Sequence, residues 1–341
     1  MTQTVLNSSV LRDAVMLACR APSLYNSQPW RWLAEGSLLR LYADSDRISH
    51  ATDTAGREVL LGCGAALDHL RVAMAAAGWD TKTERFPTPN DPSHLATVHF
   101  SPMDSVTDAD RRRADAILLR RTDRLPFGAP TRWESFEELL RATVDGDHQT
   151  IDVVADSLRA ELAEASRLSE WLRHYDPSYQ LEMQWWTTPF ELAQGIPPSS
   201  LLSESEARRV DVARAFPTVG HSERRNSFCY DQSKIVVLST HDDSRAALLR
   251  CGEALSAVLL EATMAGFATC PLTHMTEVAT SRDILRRLSG QTGLPQVLVR
   301  IGISPAMEER PPATPRRPLD EVLQFTRKLV TNGPDPGTND S

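Results

Sequence analysis

Residues 57–79 and 245–267 align with each other without a gap. Arg57 meets Arg245, Leu60-Leu61 meets Leu248-Leu249, Cys63-Gly64 meets Cys251-Gly252, and Ala66-Leu67 meets Ala254-Leu255. Each copy closes on Ala-Gly, giving nine identities in 23 positions, where average composition gives roughly two by chance. Each copy is rich in small residues, apolar at helical spacing and stopped by a glycine, as a buried helix with a C-terminal cap would be. The flanks agree as well. Strand-like LLRLYA (38–43) precedes the first copy and KIVVLST (234–240) the second; LATVHF (95–100) and QVLVRI (296–301) follow them. A strand, long helix, strand order written twice predicts an α+β fold of two similar halves, residues 1–110 and 111–330. The small residues of the repeat helices predict that these helices meet at the centre.

The halves are not equal. Residues 168–231 have no counterpart in the first half and carry Trp171, Trp185, Trp186, Phe190 and Phe216, broken by Gly195-Ile196-Pro197-Pro198-Ser199-Ser200. A segment this long is more than a connector, because structureless loops beyond ~15 residues usually have a role or are disordered. The end of the chain, 331–341 (TNGPDPGTNDS), is polar and turn-rich and reads as a frayed tail.

Composition removes several function classes. A formal net charge of -8 over 341 residues repels phosphate backbones, so nucleic acid is not an expected partner. No apolar run approaches the ~20 residues needed to cross a bilayer, and the first residues lack the basic-then-apolar order of a signal peptide. The five cysteines are odd in number and without CxxC spacing, which argues against a disulfide framework or zinc site and for a cytoplasmic, reducing environment. The nine histidines show no metal-ligand spacing, and GxSxG, Walker, GxGxxG and HExxH motifs are all missing, so no metal is expected.

Four segments retain chemistry. Arg120-Arg121-Thr122-Asp123-Arg124 ends a helical run over 108–119; arginines around a hydroxyl can hold a phosphate through charge-assisted hydrogen bonds, though a solvated helix end has the same composition. Pro315-Arg316-Arg317-Pro318 is a second basic pair, stiffened by prolines. Ala21-Pro22-Ser23-Leu24-Tyr25-Asn26-Ser27-Gln28-Pro29-Trp30 is crowded with turn formers; it fits a helix-to-strand loop with Trp30 in the core as well as a ligand-facing loop. After the second repeat helix, Ala268-Thr269-Cys270-Pro271-Leu272-Thr273-His274 reads as a turn with free backbone N–H groups. His274 is a candidate proton carrier or, as lone histidines more often are, a structural residue.

Taken together, these segments resemble the FMN-dependent nitroreductase superfamily, most closely its Acg-type, dormancy-associated mycobacterial members. PSLYNSQPW resembles that family's Pro-Ser-x-x-Asn-x-Gln-Pro-Trp loop, RRTDR its Arg-x-Ser-x-Arg phosphate motif with Thr122 in the serine place, GFATCPLT its helix-end flavin loop, and TPRRPLDEV its C-terminal basic element. The resemblance implies a nitroreductase-like fold and FMN as cofactor, with NAD(P)H and a nitroaromatic or quinone as partners. Family members are usually homodimers with flavin sites at the interface. Here the first half has the Pro-Ser-x-x-Asn loop without a phosphate motif, and the second half has the reverse. A fused pseudo-dimer with one composite site, one FMN per chain and no need of a second copy is therefore expected. By the resemblance, Arg120, Arg121, Thr122, Arg316 and Arg317 hold the phosphate, and Arg124 approaches the pyrimidine edge. Pro22, Ser23, Asn26 and Gln28 supply the loop along the ring and ribityl chain. Pro271, Leu272 and Thr273 sit by the reactive nitrogen, where the family often has an acidic residue at the Thr273 position. Trp185, Trp186 and Phe190 are expected as a lid over the flavin face. The flavin carries the chemistry, so no catalytic side chain is assigned. An oxidoreductase is the expected function; an FMN-holding protein with little turnover is the alternative.

Overall fold

The computed structural model describes residues 6–326, apart from 145, 147, 189, 191, 291, 292 and 306–311; the expected tail at 331–341 lies outside the described residues. The first half runs α1 (Ser8–Ala18), β1 (Trp30–Glu35), β2 (Leu38–Ala43), α2 (Arg57–Ala76), β3 (Trp79–Arg85) and β4 (His94–Pro102). Helix α3 (Asp108–Leu119) follows, its start fixed by a capping box in which Thr107 and Asp110 satisfy each other's backbone N–H. The second half runs α4 (Trp133–Thr143), β5 (Gln149–Val153), α5 (Arg159–His174), α6 (Pro177–Trp186), α7 (Glu204–Arg208), β6 (Lys234–Thr240), α8 (Arg245–Met264), β7 (Ala268–Leu272), α9 (Ala279–Ser289) and β8 (Leu294–Gly302). The chain closes with α10 (Leu319–Val322) and β9 (Leu323–Phe325).

The duplication is visible in the sheet topology. One sheet is ordered β3-β4-β2-β1-β9 and the other β7-β8-β6-β5, so corresponding strands occupy corresponding places. All pairs are antiparallel except β1 with β9. An irregularity recurs too: the register slips between Leu41 and Tyr42 on β2 and between Leu238 and Ser239 on β6, each facing the corresponding strand of its own sheet. Bulges tend to be kept as a fold is copied, because they set local twist.

Helices α2 and α8 form the seam between the halves and share the most extensive contact of any two elements among the described residues. The paired Cys-Gly dipeptides explain how they come so close. A Cβ on Gly64 would stand 2.0 Å from the Leu249 carbonyl oxygen, and one on Gly252 would stand 2.2 Å from that of Leu61. Each glycine meets the other's backbone, as in a twofold interface. Ser256 Oγ donates to Asp68 Oδ2 across the same seam at 2.6 Å.

Two expectations change. Residues 268–272 form an edge strand rather than a turn: β7 pairs with β8, and Pro271 is accommodated because the sheet ends there. The absence of a membrane-length apolar run is also corrected. Helix α2 has the length and composition to cross a bilayer, but 83% of its apolar window is buried inside the protein, so its apolarity belongs to the core.

Candidate functional site

The Pro-Ser-x-x-Asn loop is held in a strained form. Tyr25, Asn26 and Gln28 all have positive φ, 53°, 58° and 53°, a region costly for residues with a Cβ. Contacts from distant parts of the chain keep it there. Asn26 Nδ2 donates to the carbonyls of Gly195 and Pro315, Gln28 Nε2 donates to the Ala193 carbonyl at 2.8 Å, and Gln28 N–H donates to Ser23 Oγ at 3.0 Å. The Tyr25 ring stacks on Trp186 with centroids 6.4 Å apart.

This loop forms one wall of a cavity of about 450 Å³, within the size range of small-molecule and cofactor pockets. Pro22 and Ser23 line it from the first half, together with Leu61 and Gly62 of α2. Thr122, Arg124, Pro271, Leu272 and Thr273 line it from the second. A narrow space of about 50 Å³ shares Pro22, Ser23, Thr122 and Arg124 with this cavity and continues to Arg20, Asn26, Arg120, Arg121 and Arg316.

That narrow end is cationic and, around Arg120, withdrawn from solvent. Arg120 is 5% exposed, and its Nε and Nη1, like Nε of Arg20, lack a hydrogen-bond partner. Burial, and then the neighbouring Arg121 and Arg20, lower Arg120 to about 10. Burial, Arg120 and Arg20 lower Arg316 to about 9. Arg316 reaches this position by donating to the backbone carbonyls of Cys19 and Arg20 at 2.9 and 3.1 Å. Among the described residues no carboxylate pairs with Arg20, Arg120 or Arg316, and cations held out of water in this way are costly unless an anion completes them.

Of the residues singled out in the sequence, Gln28 and Arg317 are not in this gathering. Gln28 is fully buried and braces the loop from behind. Arg317 Nη1 pairs with Asp44 Oδ2 at 3.2 Å, and its backbone N–H donates to Gln28 Oε1 at 2.9 Å, so its charge is spent on holding β9 to the first half. Arg121 turns its guanidinium to the carbonyls of Leu118 and Arg120. The aromatic lid needs correction: Trp185 and Phe190 are 64% and 72% exposed and outside the cavity wall, and only Trp186 packs inward, behind Tyr25. Exposure of single aromatics is common, and hydrophobicity alone does not decide which of them turn inward. His274 is buried behind the wall, its Nε2 2.8 Å from Ser166 Oγ; burial, then Arg214, pushes it well below its usual value, so it stays neutral.

The insertion instead contributes the C-terminal part of α5 and residues 202–218. Arg214 is their anchor. It donates to the hydroxyls of Tyr25 and Tyr179 at 3.1 and 2.9 Å and to Thr273 Oγ1 at 3.2 Å, and it pairs with Glu277. Phe216 stands beside it, with the Arg124 guanidinium 5.0 Å over its ring. Glu58 and Glu170 also face the cavity. Sequence reasoning noted Phe216 only as one of the insertion's aromatics and missed the other three. Arg214 and Phe216 lie in a segment with no periodicity to interpret. Glu58 did leave a signal, since the second repeat has Ala246 in its place.

A relative from Mycobacterium tuberculosis described as "Putative NAD(P)H nitroreductase acg" is 60% identical over 328 residues, covering 96% of this chain and 99% of that protein. The chain belongs to this nitroreductase family. A second M. tuberculosis relative, also described as a "Putative NAD(P)H nitroreductase", is 36% identical over 330 residues, 95% of this chain and 94% of its own length. No family model matches. Among solved structures, a nitroreductase with bound FMN from Desulfitobacterium hafniense aligns with a TM-score of 0.41 at 13% identity, over 63% of this chain and 98% of its own. An FMN-dependent nitroreductase from Mycobacterium smegmatis in complex with NADPH aligns with a TM-score of 0.40 at 16% identity, over 64% and 100%.

Proposed function

We propose that the composite cavity holds one FMN and that the chain is an oxidoreductase passing two electrons from NAD(P)H to a nitroaromatic or quinone. The observation that carries this reading is the shape of the cavity's charge. A broad, largely apolar chamber continues into a narrow one whose buried arginine nitrogens lack partners. A flat ring system with a phosphorylated tail suits that combination. Arg20, Arg120 and Arg316 would hold the phosphate with Thr122 beside them. Pro22, Ser23, Pro271, Leu272 and Thr273 would bound the ring, and Arg124 would favour negative charge on it. Bound FMN supplies the two-electron chemistry, while the protein supplies position, electrostatics and exclusion of water.

A specific observation favours a second reading. Residues 202–218 wall the cavity and are tied down by Arg214 to Tyr25, Thr273 and Glu277. A wall that does not yield would make the chain an FMN holder with little turnover. Anaerobic mixing of the flavin-loaded chain with excess NADPH or NADH decides: rapid bleaching supports the enzyme, and persistent yellow colour supports the holder. A purified chain that takes up no FMN, or two per chain, would overturn the composite site itself.

A further inference from the structure

Every reduction of a quinone or nitro group consumes protons as well as electrons, and the nitroreductase assignment leaves their source open. The part of the main cavity not shared with the arginine chamber contains a candidate. Glu170, on α5 of the insertion, lines the wall together with Arg214, Phe216 and Thr273. Its Oε1 is buried without a hydrogen-bond partner. Glu58, on the same cavity wall, is 4% exposed; its Oε1 likewise lacks a hydrogen bond, with Arg57 Nη1 3.7 Å away. Two carboxyl groups with oxygens withdrawn from water and facing one chamber are poised to interact with a bound molecule.

We propose that Glu170 gives the proton to the substrate reduced in this cavity, a neutral acceptor with carbonyl or nitro oxygens. The inference rests on the oxidoreductase reading above. For a quinone the balance is simple. The substrate gains two electrons and one proton as hydride from the reduced cofactor. The Glu170 O–H bond breaks, its proton bonds to the remaining quinone oxygen, and a hydroquinone leaves. Glu170 is left as a carboxylate and takes its next proton from water.

The charged neighbours of Glu170 allow this role. Arg214, Arg173, Glu277 and Tyr179 are the groups that act on it electrostatically. Arg214 would hold Glu170 ionised if it were unoccupied, but Glu277 and two tyrosine hydroxyls share its donors. Burial outweighs Arg214 and the Ala215 N–H and raises Glu170 to about 7, where a general acid is most effective at neutral pH. His274 offers no rival, since it is neutral and bonded to Ser166 behind the wall.

Two measurements test the assignment. In the first, flavin-loaded chain reduced by dithionite is mixed with a benzoquinone, and separately with ferricyanide, which accepts an electron but no proton. Glu170→Gln should slow the quinone reaction by about 10²- to 10⁴-fold and leave the ferricyanide reaction unchanged. The wild-type quinone rate should fall as pH rises through about 7, and the variant should lose that dependence. In the second, infrared difference titration of the cofactor-free chain should show a carboxyl with a midpoint near 7 that Glu170→Gln removes. An unchanged quinone rate and pH profile in the variant, or no such carboxyl in the wild type, would overturn the assignment. A chain that binds no FMN fails the oxidoreductase reading and takes this inference with it; a loaded, reducible chain indifferent to Glu170→Gln refutes this inference alone.

Discussion

Gly64→Ala isolates the feature on which both halves depend. The added Cβ would lie 2.0 Å from the Leu249 carbonyl oxygen and 2.9 Å from the Gly252 Cα. Both are backbone atoms of a buried helix, so no side chain can turn aside to make room. Ordinary contact begins near 3.4 Å, so α2 and α8 must separate by about 1.4 Å along that line. Alanine is the better helix former by about 1 kcal/mol, so a loose seam would give a more stable variant. Overpacking of a well-fitted core costs about 1–3 kcal/mol, occasionally more, and here the separation would also disturb the cores on both sides of the seam. We expect the strain to win, with a net loss of about 2 kcal/mol or more and a fall in melting temperature of at least about 3 °C. Gly252→Ala should cost a similar amount, because its Cβ meets the Leu61 carbonyl at 2.2 Å. The two together should cost less than their sum, since the first separation makes room for the second. Gly220, with nothing within 4 Å of its notional Cβ, provides the neutral comparison. Thermal and urea unfolding of the four variants is the assay. A Gly64→Ala protein as stable as wild type or more so would refute the close crossing.

Three further expectations follow from the site. Arg120→Ala should weaken FMN binding by about 1.5–3 kcal/mol, the worth of a charge-assisted hydrogen bond, yet leave the cofactor-free chain as stable or more so, because it relieves repulsion with Arg20 and Arg121; calorimetric titration and melting of the empty protein read the two signs separately. Arg316→Ala should resemble Arg120→Ala in FMN titration, whereas Arg317→Ala should leave affinity nearly unchanged and lower stability, since its partner is Asp44; equal affinity losses would contradict that placement. Glu170 holds its proton more tightly folded, at about 7, than at its ordinary value of 4.5. Between those values the folded state binds more protons, so its contribution to stability falls as pH rises through that window and levels off above it. Glu170→Gln should flatten this part of the unfolding profile, and an identical profile would count against the burial of that carboxyl.

The sequence made the repeat legible because both copies kept the features that packing cannot spare. Cys-Gly survives where the two helices touch, and Ala-Gly survives where each ends. The strands at 38–43 and 234–240 were legible in full: the first buries alternate residues on one face, and the second is a short apolar, β-branched run buried on both. The arginines converging from residues 120 and 316 were legible as motifs, though not their geometry. What escaped was set by tertiary context. Arg317 is as basic as Arg316 and adjacent to it, and only the position of Asp44 separates an ion pair from an anion site. Trp185 and Trp186 are neighbours of the same type, yet helix α6 turns one to solvent and the other onto Tyr25. Arg214 looks like any surface arginine until Tyr25, Tyr179, and Thr273 with Glu277 arrive around it from three separate stretches of chain.

The route of the last segment has a consequence for how the protein comes into being. Arg316 is fixed by carbonyls of residues 19 and 20, and β9 then docks on β1 beside them. During synthesis the first half can collapse early, as N-terminal regions do, but residue 316 leaves the ribosome after every other member of the arginine cluster. The arginine cluster of the proposed phosphate end is therefore completed late, and a C-terminally clipped chain would lose Arg316 together with Val322 and Leu323, which pack into the core of the first half.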